Sequence, residues 1–164
     1  MAEITIDDIA AAAGISRTSF YFYFPTKQAV LATLMEQVWE RFGQTHGWFA
    51  SAGPSPSELR DQLLRVAGMW HENSQIIACT MSAGYPPLEE FTGRTKRRFV
   101  DGLAEKIRRD RAAGLAPEGV DAGVLAGMVA VVRDHRLSEI ADLPRGELES
   151  AVEDLIEVIL RMIY

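Results

Sequence analysis

A single cysteine, Cys79, stands in the 164 residues, so the chain can form no internal disulfide and holds no Cys-x-x-Cys metal pair. A reducing, cytoplasmic location is expected. Nothing approaches the ~20 apolar residues of a membrane span: the uncharged stretch 73–87 is broken by polar residues, Gly and Pro. A basic leader is missing too, since Glu3, Asp7 and Asp8 stand where one would lie, and no secretory signal is expected. Positive charge is in short supply, with 17 Lys and Arg against 23 Asp and Glu and a net charge of −6, which by itself opposes nucleic-acid binding. Catalytic signatures are also lacking. The sequence has no Gly-x-Ser-x-Gly, no Gly-rich phosphate loop ending in Lys-Ser/Thr and no His-x-x-x-His. His46, His71 and His135 fall on separate predicted helices, and Asp134 beside His135 is a neighbour in sequence only. No enzyme, no cofactor and no metal site is expected.

What the sequence does contain is helix. Apolar residues recur with a 3.6-residue period and almost nowhere alternate, which predicts an all-α fold. Thr5 and Asp8 form a capping-box pair, and Gly14 ends a short helix over 6–13. Ser16 caps a second helix that runs to about 24, where Pro25 stops it. Thr26 caps a long helix whose apolar stripe holds Val30, Leu31, Leu34, Met35, Val38, Trp39 and Phe42 and fades near Trp48. The loop 50–55 marks a boundary between two regions, 1–48 and 49–164. Ser55-Pro56-Ser57-Glu58 predicts a capping box at the head of a helix to about 73. Further helices are predicted over 75–83, 88–113, 121–141 and 145–164.

Two short helices joined through Gly14 make a helix-turn-helix, the second helix carrying small polar and aromatic residues suited to a major groove. Phe20 and Phe24, four apart, point inward; Arg17, Thr18 and Tyr21 share the opposite side. Side chains near the start of this helix are placed to read bases, and Tyr23 and Lys27 near its end to meet the backbone. Thr5, at a helix N-terminus, is a further phosphate candidate.

The run Ile4-Thr5-Ile6-Asp7-Asp8-Ile9-Ala10, Ala13-Gly14-Ile15-Ser16-Arg17-Thr18-Ser19, Phe20-Tyr21-Phe22-Tyr23-Phe24-Pro25-Thr26-Lys27 and Ala29-Val30 closely resembles the DNA-binding signature of the tetracycline-repressor (TetR) family. The Phe-Tyr-Phe-Tyr-Phe-Pro tract is similar to that of its ethionamide-resistance repressor subgroup. The resemblance implies a dimeric, all-α transcriptional repressor, with the helix-turn-helix joined by a long helix to a ligand-binding and dimerisation body. It makes Arg17, Thr18 and Ser19 base readers, gives Tyr21 a groove or phosphate contact, and makes Thr5, Tyr23 and Lys27 phosphate contacts on double-stranded operator DNA. Ser16, the helix cap, completes the DNA-facing set. Phe22 is expected to pack against the first helix of the motif.

The resemblance also implies a further helix of roughly 15–20 residues ahead of the motif. Met1 falls directly before the motif, so the sequence is expected to be a shortened form of a longer protein that lacks this helix, leaving part of the stripe through Leu31, Leu34 and Val38 facing water. Residues 1–48 carry a net charge of −2, a weak footprint for phosphates. A dimeric helical ligand-binding module that has lost DNA binding is therefore the alternative. The basic stretch 94–111, eight Lys or Arg against three acidic residues, interleaves with Phe99, Leu103 and Ile107 and reads as the solvated face of a body helix.

A small apolar or aromatic effector is expected between body helices, lined by Met69, Trp70, Ile76, Cys79, Met81, Tyr85, Phe91, Phe99 and Met128. The two ligand-binding Asn of the subgroup's penultimate helix have no counterpart in Leu125-Ala126-Gly127-Met128-Val129-Ala130. A homodimer is expected through 121–164. Ala122, Gly123, Ala126, Gly127 and Ala130 allow close helix approach, and the stripe Leu148, Val152, Leu155, Ile159 and Met162 is expected to be buried against a second copy.

Overall fold

The computed structural model describes residues 4–42, 47–81 and 84–164, and these fold as helices without strands. In chain order they are α1 (Ile6–Ala12), α2 (Arg17–Tyr23), α3 (Lys27–Phe42), α4 (Gly47–Ala50), α5 (Pro56–Glu72), α6 (Ser74–Met81), α7 (Pro86–Ala112), α8 (Ala122–Ile140) and α9 (Arg145–Ile163).

The helix starts follow local chemistry. Thr5 Oγ1 accepts from the Asp8 amide at 3.2 Å, and the Asp8 carboxylate accepts from the Thr5 amide at 2.9 Å, closing the expected capping box. Gly14 takes φ +66°, the left-handed turn that α1 needs to reach α2. Ser16 Oγ accepts from the Ser19 amide, and Thr26 Oγ1 from the Ala29 amide, starting α2 and α3. Asp121 caps α8 by accepting from the Gly123 and Val124 amides, and these bonds hold its carboxyl below the usual range. Ser55 departs from the prediction. It sits at φ +38°, its hydroxyl donates to the Ala52 carbonyl, and no capping box forms. Pro56 at the first helical position has no N–H to cap, which removes part of the demand.

The body is one core. α7 lies along α8, and α5 and α8 both pack on α9. Leu59, Leu63, Phe99, Leu103, Ile107, Val129, Leu137, Val152, Leu155 and Ile159 interdigitate there. Trp48, predicted to end the long connecting helix, belongs instead to α4 and is 1% exposed inside this body core. α4 approaches α7 closely because residue 102 is Gly: a Cβ there would lie 2.9 Å from the Phe49 ring.

The last-helix stripe is also corrected. Leu148, Val152, Leu155 and Ile159 are buried within the chain, against α5 and α8, and Met162 packs on the same core, so none of them awaits a second copy. Ala122, Ala126 and Ala130 likewise face the chain's own core. The outward apolar residues lie elsewhere: Val124, Met128 and Val131, at i, i+4 and i+7 of α8, are each more than half exposed.

The basic stretch on α7 is solvated only in part. Lys106 and Asp110 are each 1% exposed and form a buried pair at 2.9 Å. Lys106 also donates to the Ser51 and Gly53 carbonyls, Arg109 to those of Phe49 and Ser51, and the Tyr164 hydroxyl to Asp110. The segment between α4 and α5 is thereby clasped to α7 and to the end of α9.

Candidate DNA-binding face and effector site

α1, α2 and the start of α3 enclose an open groove lined by Thr5, Ile6, Asp7, Arg17, Tyr21, Pro25, Thr26, Lys27 and Gln28. Phe20, 1% exposed, holds α2 in place from behind, with the Phe24 ring 5.8 Å away. This leaves the opposite side of α2 to solvent. Of the expected DNA-facing residues, Thr5, Arg17, Tyr21 and Lys27 meet in the groove. Thr18 is exposed on α2, and Tyr23 is 68% exposed at its end. Ser16 and Ser19 hydroxyls bond each other at 2.9 Å and serve first as the helix start.

Phe22 is the correction here. It is 84% exposed, the most open of the large apolar residues described, and does not pack against α1. Its ring stands nearly perpendicular to that of Tyr23, with the centroids 5.2 Å apart. The two inward positions of α2 are taken by Phe20 and Phe24, so a helix of this pitch turns Phe22 outward. Leu34 on α3 is 39% exposed, with Leu31 and Val38 half-buried, as expected for that stripe.

The groove holds an internal ion pair. Arg17 Nη1 donates to Asp7 Oδ2 at 2.8 Å, and its guanidinium lies 5.8 Å from the Tyr21 ring centre. The Tyr21 side chain, and then the Asp7 carboxylate, push the Arg17 pKa up. Asp7 thus offers Arg17 an intramolecular partner and presents a negative charge toward any phosphate. Asp7→Asn should raise DNA affinity by about 2–5-fold, most strongly at low salt, since exposed pairs of this sort are individually weak. Fluorescence anisotropy across a salt series measures it, and an unchanged affinity would show that Asp7 does not restrain Arg17.

The expected effector-lining residues divide. Trp70, Ile76, Tyr85 and Phe91 gather around a small core of Met35, Ile77 and Leu88, together with Leu31, Ala32 and Trp39 of α3. That cluster joins the connecting helix to the body. Trp39 Nε1 is buried in it with no acceptor among the described residues. Trp70 packs on this cluster and on the main core alike. Met69 is 1% exposed, Cys79 is half-buried, and Phe99 lies in the main core beside Phe49. The Met81 side chain lies outside the described residues. Met128 is corrected: at 52% exposure on the outward face of α8 it lines no interior space.

One polar group in the body escaped the sequence reading. Arg133 of α8 lays its guanidinium over the Phe99 ring, 3.4 Å from the centroid, and donates through Nε and Nη2 to Asp134 Oδ1. Burial lowers its pKa, while Asp134 opposes the shift. His135 next to it contacts Glu139, and His71 Nδ1 lies 2.7 Å from the Ala141 carbonyl oxygen. His46 lies outside the described residues. Among the described residues no cluster of ligating side chains suited to a metal forms, and no helix is long and apolar enough to cross a membrane.

Residues 1–34 match the family model described as "Bacterial regulatory proteins, tetR family", and residues 59–164 match "Transcriptional regulator EthR, C-terminal domain". The chain is 60% identical over 174 residues to the HTH-type transcriptional regulator EthR of Mycobacterium tuberculosis (strain ATCC 25618 / H37Rv), covering all of this chain and 79% of that one. Among solved structures, the SmeT–triclosan complex superposes with a TM-score of 0.74 at 23% identity, over 99% of this chain and 82% of the other. The regulator FadR of Bacillus subtilis in complex with stearoyl-CoA does so with a TM-score of 0.73 at 15% identity, over 98% and 89%. Both family descriptions, and the name of the 60% identical relative, are those of transcriptional regulators. With a helix-turn-helix at its head and an EthR-type body, the chain belongs to the TetR family of transcriptional regulators.

Proposed function

We propose that the chain is a repressor that holds operator DNA as a homodimer and releases it when a small apolar effector enters the body. The DNA-facing set is Thr5, Ser16, Arg17, Thr18, Ser19, Tyr21, Tyr23 and Lys27, with region 1–48 carrying them and region 49–164 sensing and pairing. The carrying observation is the cluster around Met35, Ile77 and Leu88. It is built from α3, whose first residue is Lys27 of the DNA groove, and from the body helices α5, α6 and α7. An effector that parts this cluster displaces α3 and, through it, the recognition helix. Coupling of ~1–3 kcal/mol, about 5–150-fold in affinity, is typical of such switches. Trp39 Nε1 offers the effector one hydrogen-bond donor. SmeT with triclosan and FadR with stearoyl-CoA are relatives in fold whose bound molecules carry large apolar parts, which supports an effector of that character here. Among the expected lining residues, Trp70, Ile76, Tyr85 and Phe91 are the ones this reading keeps at the cluster itself.

The groove and the family match over residues 1–34 favour this reading over a ligand-binding module without DNA binding. The experiment is binding of the chain to DNA from upstream of its own gene, with and without ligands found by thermal-shift screening. Saturable, salt-sensitive binding that weakens with ligand is expected. Failure to bind that DNA at low salt, or a tight ligand that leaves affinity unchanged, would overturn it.

The outward stripe of Val124, Met128 and Val131 supplies the pairing surface in this reading. Covering it in a two-fold dimer sets two α2 helices to half-sites about one turn, ~34–36 Å, apart. Val131→Asp should convert the dimer to monomer in light scattering without lowering helix content, because Val131 is 56% exposed and belongs to neither core cluster.

A further inference from the structure

The Arg133 guanidinium has five N–H donors in a planar fork. Asp134 takes two of them, from Nε and Nη2, on a single oxygen. The remaining three, both on Nη1 and the second on Nη2, have no acceptor among the described residues. They form the open end of the fork, the edge that matches a carboxylate with two parallel hydrogen bonds. The buried polar atoms without a partner include none of the Arg133 nitrogens, so these donors open outward from a side chain that is only 12% exposed, where a ligand can reach them. The Phe99 ring underneath fixes the plane of the fork.

Arg133 also stands at the end of a track. Leu88, Phe91, Thr95 and Phe99 recur at helical spacing along α7, all buried or half-buried. Leu88 and Phe91 belong to the cluster shared with α3, and Phe99 carries the guanidinium. Eight residues of helix separate Phe91 from Phe99, a span of about 12 Å. Thr95 spends its hydroxyl on the Phe91 carbonyl, so the middle of the track presents no free donor from that side chain.

We propose that the effector is a monocarboxylic acid, its carboxylate seated on the Nη1 and Nη2 edge of Arg133 and its apolar tail running along the α7 track toward the α3 cluster. A span of about 12 Å corresponds to a chain of roughly ten bonds, so medium-length fatty acids and arylalkanoic acids have the right reach. This rests on the reading of the body as an apolar effector site, and adds to it the charge and length of the ligand. The Asp134 carboxylate beside the guanidinium repels added negative charge, so the site disfavours dianions more strongly than a single carboxylate.

Calorimetric titration of the full chain with decanoate and with methyl decanoate tests this. Decanoate should bind at least about tenfold more tightly than the ester, the scale of a charge-assisted hydrogen-bond pair in a buried site. Arg133→Gln should abolish that preference, with unchanged helix content and melting temperature of the unliganded chain as the folding control. A measurement on the unaltered chain stands beside it: the carboxyl carbon of [1-13C]decanoate, titrated by NMR, should show a bound pKa below that of the free acid. Equal binding of acid and ester, an acid preference that survives Arg133→Gln, or a bound carboxyl pKa at or above the free value each overturns the carboxylate assignment and leaves the apolar-effector reading standing. Binding of neither compound overturns the assignment and counts against that reading too.

Discussion

Replacing Asp110 by Ala should cost the body about 3–5 kcal/mol, because it strands the Lys106 ammonium in a site that is 1% exposed. The ammonium keeps the Ser51 and Gly53 carbonyls as acceptors but loses the one counter-charge it has at hydrogen-bond distance among the described residues. The Gly53 amide loses its acceptor in the same stroke, and the Tyr164 hydroxyl is left with the Gly53 carbonyl. For a chain of this length the loss corresponds to a fall in Tm on the order of 10 °C, read by calorimetry or circular dichroism. A fall of less than about 3 °C would mean that the network relaxes and that Lys106 escapes to water.

The same carboxylate gives a pH signature. Burial alone would raise the Asp110 pKa, but hydrogen bonds from Tyr164, Lys106 and the Gly53 amide outweigh it and hold the carboxyl below its ordinary value of 3.8. A folded pKa below the unfolded one means that the stabilisation is full above the unfolded value and is lost as pH falls through the folded one. Stability should therefore decline below about pH 4, and Asp110→Asn should flatten that part of the decline while lowering stability at pH 7. An unaltered acid limb in Asp110→Asn would assign the decline to other carboxylates.

On the DNA side, Arg17→Ala and Lys27→Ala should fail in different ways. Arg17 stands at the first position of α2, where a side chain reaches base edges, and its removal should cost about 5–150-fold on the operator with little change on unrelated DNA. Lys27, which donates to the Ile4 carbonyl in the same groove, is the proposed phosphate contact. Its removal should weaken operator and random DNA alike and reduce the slope of log affinity against log salt by about one. Anisotropy titrations on both DNAs at several salt concentrations separate the two. If Arg17→Ala lost affinity equally on both DNAs, Arg17 would be an anchor and base reading would pass to Thr18 and Ser19.

The DNA-binding half was largely legible because its signals are local. Thr5 with Asp8, Gly14, Ser16 and Pro25 act within four residues of themselves, so helix starts and stops followed from the sequence and were met within a residue or two. Phe22 was misjudged because inward and outward positions on a two-turn helix differ by one residue of register. In the body the decisive contacts are distant in sequence. Lys106 and Asp110 sit in a charge run that looks solvated, and only the return of residues 51–53 and Tyr164 to α7 explains their burial. Arg133 was invisible for the same reason, since its ring partner lies on another helix. The stripe on α9 was read correctly as buried, but an apolar stripe does not say whether its cover comes from the same chain or another. α5 and α8 supply that cover, and the uncovered residues of α8 could be identified only after they had done so.

The three tryptophans divide the molecule among themselves: Trp48 lies in the body core beneath the Lys106 ammonium, Trp39 in the α3 cluster, and Trp70 between the two. The protein thus carries its own optical reporters. Emission from Trp39 should respond to effector entry, emission from Trp48 to loss of the buried ion pair, and single Trp→Phe variants would resolve switching from unfolding without any added label.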